Sequence, residues 1–165
     1  MYLLTITASL VAAYFILYAF FPFFFGQKLE RPGARSIISV LIIVILSFAG
    51  YAVVLHTRDL EMGNRILHGF GGGFVAFLVC FLAVRDSRIS ITKFQFAVLG
   101  SLIVTGLGVA NEIVEYFLQN YGGMVFLRTT NDTWLDLMSN TVGIIIALAV
   151  LVPFVGRKGG ESSSS

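Results

Sequence analysis

Read as a string of apolar and polar positions, the chain is organised in long blocks rather than in alternations. Five predominantly apolar stretches stand out: Leu3–Phe25, Ile37–Leu55, Ile66–Val84, Phe94–Leu118 and Thr133–Val155. Each is close to the roughly 20 residues a helix needs to cross the ~30 Å hydrocarbon core of a bilayer. The segments between them carry charge, Gly or Pro, as in QKLERPGAR (Gln27–Arg35) and RDSRISITK (Arg85–Lys93). The pattern predicts an all-α, polytopic transmembrane helical bundle of about five spans. A four-span arrangement would require the fifth stretch, with Asp136 and Asn140 in its first third, to re-enter the membrane. Residues 1–155 are expected to form a single transmembrane domain, and the Gly/Ser-rich 156–165 (GRKGGESSSS) a flexible polar tail. The first stretch lacks a basic leading region and has no small-residue cleavage site before Gly26, so it is expected to be a retained helix rather than a signal peptide.

Composition narrows the class further. Of 165 residues, 57% are hydrophobic and only 12% charged, against about 25% charged in an average soluble domain. A soluble globular enzyme, a disordered chain and a nucleic-acid module are thereby excluded. Cys80 is the single cysteine, so no internal disulfide can form; it reads as a small core residue. Cations divide unevenly between alternate loops. One side collects Lys28, Arg31, Arg35, Arg85, Arg88, Lys93, Arg157 and Lys158 with three acids, Glu30, Asp86 and Glu161. The other has only Arg58, Arg65 and Arg128 against six acids, Asp59, Glu61, Glu112, Glu115, Asp132 and Asp136. By the positive-inside rule the first side is cytoplasmic, which predicts an outside N-terminus, a cytoplasmic C-terminus and residence in the plasma (inner) membrane.

Ionisable groups within spans are costly, roughly 2.5–3.5 kcal/mol each at a helix centre, so they face the bundle interior and are functional candidates. Three segments break the apolar pattern. In RILHGFGGG (Arg65–Gly73), Arg65, His68 and Gly72 share a helix face at i, i+3 and i+7, while Gly69 and Gly73 form a GxxxG spacing suited to close helix approach. In GLGVANEIVEYF (Gly106–Phe117), Glu112 and Glu115 share a face with Gly108; an ion pair of Glu112 with Arg65 or Arg128 is the structural alternative to a ligand contact. In NDTWLDLMSNTVG (Asn131–Gly143), Asp132, Asp136, Asn140 and Gly143 recur as a stripe, with Asp132 expected to cap the helix. The predicted topology puts all three at the same, outer, level. The halves of the spans toward the Lys/Arg-rich side look dry, with spans 3 to 5 offering there only Cys80, Ser101 and Thr105, and Tyr14 and Tyr18 read as packing residues.

The order of these elements resembles the VanZ-like superfamily of small membrane proteins, including its YjdF-type relatives. The resemblance lies in HGFGGG from His68, NEIVEYF from Asn111 and DTWLDLMSNTVG from Asp132, and covers about 90 residues, Arg65 to Val155. The most specific part is Asp136 followed by Asn140 and Gly143. Family members often carry a Pro-Gly-Arg-type turn between the carboxylate pair and the aspartates; here that stretch, Gln119 to Asn131, has no Pro. The resemblance implies an envelope membrane protein in which His68, Glu112, Glu115, Asp136 and Asn140 carry over as site residues. The family's namesake is linked to resistance to the glycopeptide teicoplanin.

Three functions follow as expectations. In the first, an outward-facing polar pocket built from Arg65, His68, Glu112, Glu115, Asp136 and Asn140 binds an envelope lipid, a lipid-linked precursor or another amphiphile. Arg65 and Arg128 would serve a phosphate or carboxylate, membrane lipids would be partners, and nucleic acid would not. The second is a metal-dependent hydrolase or transferase. Glu112, Glu115, Asp136 and Asn140 would then offer oxygen ligands to Mg²⁺ or Ca²⁺, and His68 would act as base. Zn²⁺ suits the set less, since its sites draw more on His and Cys. HExxH, GxSxG, a phosphate-cradling Gly loop and CxxC are all missing from the sequence. The third, a cation or proton pathway, has against it that the polar stripe stops near Gly143.

Overall fold

The computed structural model describes residues 2–123 and 131–156. In chain order the helices are α1 (Tyr2–Phe24), α2 (Ala34–His56), α3 (Leu60–Ile66), α4 (Ala76–Asp86), α5 (Lys93–Tyr121) and α6 (Asp132–Leu151). A π-helical segment, Leu67–Val75, joins α3 to α4, and a 3-10 turn, Val152–Phe154, extends α6. With α3, the π segment and α4 forming one rod over Leu60–Asp86, the described residues contain five helices long and apolar enough to cross a membrane. The chain is a multi-pass helical membrane protein, as its hydrophobic blocks predict.

Local chemistry sets the helix ends. At the end of α1, Gly26 takes φ +61, a conformation that costs glycine nothing, and the N–H groups of Gln27 and Gly26 donate to the carbonyls of Pro22 and Phe23 at 2.8 and 3.1 Å. The Asp59 carboxylate accepts from the N–H groups of Glu61 and Met62, which starts α3 at Leu60, six residues before the apolar stretch expected from Ile66. Thr92 and Gln95 form a capping box at the head of α5. The expectation for Asp132 is corrected: Asn131 occupies the N-cap position, and Asp132 is the first helical residue. Its carboxylate still lies in the first turn, where the helix dipole favours negative charge.

The third span is the most enclosed of the five. Its π segment packs chiefly against α6, whereas α4 packs chiefly against α1. The apolar core follows that rod, from Val75 through Phe77, Val79 and Leu82, and draws in Tyr14 and Phe21 of α1, Ile43 of α2, Phe96 and Val104 of α5, and Ile144 and Ala147 of α6. Phe77 meets Phe96 edge-on at 5.3 Å, in space left by Gly100, where any Cβ would lie 3.0 Å from the Phe77 ring. Ile16, Ile37, Leu41, Ile45, Leu102 and Ile145 face outward. In water so much apolar surface would be a liability; against acyl chains it is the matching solvent.

Candidate functional site

The site is assembled at the end of the bundle where α3 and α6 begin and α5 ends. His68 comes from the first turn of the π segment, Glu112 and Glu115 from the last third of α5, and Asp136 and Asn140 from the first half of α6. Asp136 is 0% exposed, Asn140 4% and Glu112 6%, so the polar stripe points inward, as the cost of exposing such groups to lipid requires. The His68 imidazole stands between two helices. Its Nε2 lies 3.4 Å from Asp136 Oδ2 and its Nδ1 4.0 Å from Glu112 Oε1. One ligand atom each from His68, Glu112 and Glu115 lie within 4.8 Å of one another. Asn64, one turn before His68, donates its Nδ2 to both oxygens of Asp136, at 2.9 and 3.0 Å. Asn111 donates to Glu115 Oε1 at 2.7 Å.

One turn deeper lies a floor of small residues. Gly72 follows His68 by four positions, Gly108 precedes Glu112 by four, and Asn140 follows Asp136 by four. The Asn140 amide occupies the gap between the two glycines: a Cβ at Gly72 would collide with its Oδ1, and one at Gly108 would come 2.9 Å from its Nδ2. Backbone meets backbone beside it. A Cβ on Gly143 would overlap the Gly69 carbonyl oxygen, and one on Gly73 would overlap the Asn140 carbonyl oxygen. The glycines that the sequence marks as a packing motif therefore seat α6 against the π segment, the small-residue contact typical of membrane helices. On the exposed side of that contact runs an apolar groove of about 330 Å³ lined by Gly69, Phe70, Phe74, Val142, Gly143 and Ile146.

The structure thus brings together His68, Glu112, Glu115 and Asp136, with Asn140 beneath them. Arg65 stands apart: it pairs with Glu61, one turn earlier on α3, at 3.5 Å. The i, i+3, i+7 face predicted for Arg65, His68 and Gly72 presumes 3.6 residues per turn, and the π segment beginning at Leu67 departs from that spacing. Arg128 lies outside the described residues. The sequence reading missed Asn64, although its place four residues before His68 puts it one turn from the site.

It also missed a second buried polar centre, at the far end of the third span. Asp86, the last residue of α4, is buried there. Its Oδ2 accepts from the Tyr14 hydroxyl at 2.9 Å and from the Ser39 hydroxyl, and its Oδ1 accepts from Arg85 Nε at 2.8 Å. Arg85 also donates to Ser39 Oγ at 2.8 Å, closing the ring. The span halves expected to be dry therefore hold a hydrogen-bonded polar staple joining α1, α2 and α4, and Tyr14 is part of it. Nearby, Gln27 exchanges two hydrogen bonds with the backbone of Ser90, at 2.9 and 3.0 Å, tying the first interhelical loop to the third.

In comparisons with protein-family models, curated proteins and solved structures, nothing matches this chain.

Proposed function

We propose that this is a plasma-membrane protein that binds an amphiphile of the cell envelope, a lipid or lipid-linked precursor. The His68 centre would lie in the outer half of the bilayer, and the termini would be placed as the loop cations suggest. The observation that carries the reading is the pairing of two unlike surfaces along the π segment. An ionisable centre lies between the π segment, α5 and α6, with Glu112 buried and His68 and Glu115 partly so, and an open apolar groove starts one residue beyond His68. A headgroup needs the first surface and an acyl chain the second, and ligand sites commonly combine an apolar lining with a few fixed polar groups. With Arg65 paired to Glu61, the headgroup contacts fall to the carboxylates, His68 and Asn140 rather than to Arg65. That favours a headgroup bearing hydroxyl or amine donors. The VanZ-like resemblance supports the same envelope setting.

Filling the groove tests this directly. Val142 is 55% exposed and lines the groove without entering the core, so Val142→Trp is expected to leave folding intact. Lipid retained through detergent purification, counted per chain by mass spectrometry, should fall several-fold in the variant. Equal lipid retention by a variant with an unchanged melting midpoint overturns the reading.

A further inference from the structure

We propose that His68, Glu112 and Glu115 bind a divalent metal ion of the first transition row, with Asp136 and Asn64 as the supporting shell. The inference does not rest on lipid binding. It begins with spacing. Ions with metal–ligand bonds of about 2.0–2.2 Å hold their ligand atoms roughly 3–4.4 Å apart. The 4.0 Å between His68 Nδ1 and Glu112 Oε1 fits that window, and the 4.8 Å limit for the full trio lies a few tenths of an ångström beyond it.

The two faces of the imidazole give the direction. A metal-bound histidine characteristically turns its other ring nitrogen to a carboxylate, which fixes the tautomer. Here Nε2 faces Asp136 Oδ2 at 3.4 Å, and both Asp136 oxygens are themselves held by Asn64. With the ring proton on Nε2, the lone pair of Nδ1 points toward the Glu112 carboxylate. The two atoms face each other across 4.0 Å, a separation that one ion can span with a bond to each.

Asn140 gives an independent indication. It is 4% exposed, and its Oδ1 has no hydrogen-bond partner among the described residues. A buried acceptor of this kind calls for an explanation such as a bound water or ion. Its amide sits one turn, about 5.4 Å, below the level of the trio, in the space cleared by Gly72 and Gly108. That is too deep for a direct bond to the ion and suits a metal-bound water donating downward. The ligand set also decides the metal class. Oxygen ligands alone suit Mg²⁺ and Ca²⁺, as the sequence reading expects, but an imidazole nitrogen moves the preference to the transition row, and two carboxylates beside it keep Mn²⁺ favourable.

The experiment uses the full chain in detergent, stripped with chelator and titrated with Mn²⁺ alone. Binding is followed by electron paramagnetic resonance and checked by elemental mass spectrometry. Wild type should bind about one ion per chain, with a nitrogen coupling from the imidazole in the pulsed spectrum. His68→Ala should lose that coupling. Glu115→Gln, at a partly exposed position and with folding checked by its melting midpoint, should weaken binding at least tenfold. Asp136→Asn should weaken it about 10–100-fold, as loss of an outer-shell partner does. A folded wild type that takes up no Mn²⁺, or a Glu115→Gln variant that binds it equally well, overturns the proposal. Lipid content measured on the same samples reports the amphiphile reading separately, so either can fail alone.

Discussion

Gly143→Ala is expected to abolish the native packing of α6 and to cost about 3 kcal/mol or more. Overpacking a core usually costs about 1–3 kcal/mol because side chains and backbone share the displacement. Here the added methyl would overlap the carbonyl oxygen of Gly69 and sit 2.9 Å from the Cα of Gly73. Neither obstacle is a side chain that can rotate away, so the helices themselves must separate, and the His68–Asp136 and Asn140 contacts go with them. A methyl added at Gly106 of α5 has nothing within 4 Å to meet. Gly106→Ala should therefore be neutral or stabilising by up to about 0.5–1 kcal/mol, the usual gain from removing a mid-helix glycine. Thermal unfolding of the two variants in the same detergent checks the contrast. A Gly143→Ala protein melting with wild type would mean that the interhelical contact at Gly69 is wrong.

The second large effect belongs to Asp86. Asp86→Ala removes the acceptor of three hydrogen bonds at once, from Tyr14, Ser39 and Arg85. Breaking a buried ion pair by deleting one partner costs about 3–5 kcal/mol. The Arg85 side chain is 40% exposed and can regain water, which places this case near the lower end, about 3 kcal/mol. Tyr14→Phe deletes one donor and leaves the carboxylate two others, so about 1.5 kcal/mol is expected, the low end for a bond to a charged group. The order of the two melting midpoints below wild type is the test. Equal losses would show that the Tyr14 hydroxyl supplies the whole effect, and no loss in either would remove the staple from the account of stability.

The spans were legible because a bilayer imposes one demand, about 20 apolar residues, that a sequence states openly. The inward stripe of His68, Glu112, Asp136 and Asn140 was legible for the complementary reason: polar groups inside such runs must find one another. What failed to show was whatever lay at the margins of the runs. Asp86 directly follows Arg85, and a charge pair at the end of an apolar block reads as the start of a loop, although the helix runs two residues past Val84 and buries Asp86. Tyr14 gave no hint of its hydroxyl's role, since tyrosine suits packing and hydrogen bonding alike. Arg65 was drawn toward the site by its spacing to His68, when the Glu61 four residues earlier was the nearer partner. Asp132 could not be told from Asn131 as the cap, because both residue types serve equally.

The π segment was illegible on different grounds, since every face deduced from spacings of three, four and seven assumes an α-helix. From Leu67 to Val75 the hydrogen bonds reach one residue further, so side chains advance around the axis by a smaller angle at each step. The half of the rod on the His68 side consequently addresses α6, and the half on the Asp86 side addresses α1. Both ends are clamped by polar groups, one to α5 and α6 and the other to α1 and α2. The glycine-rich π turn is the stretch of the rod whose winding differs from the rest, so the angle around the rod axis between its two polar clamps depends on how many residues that turn spans.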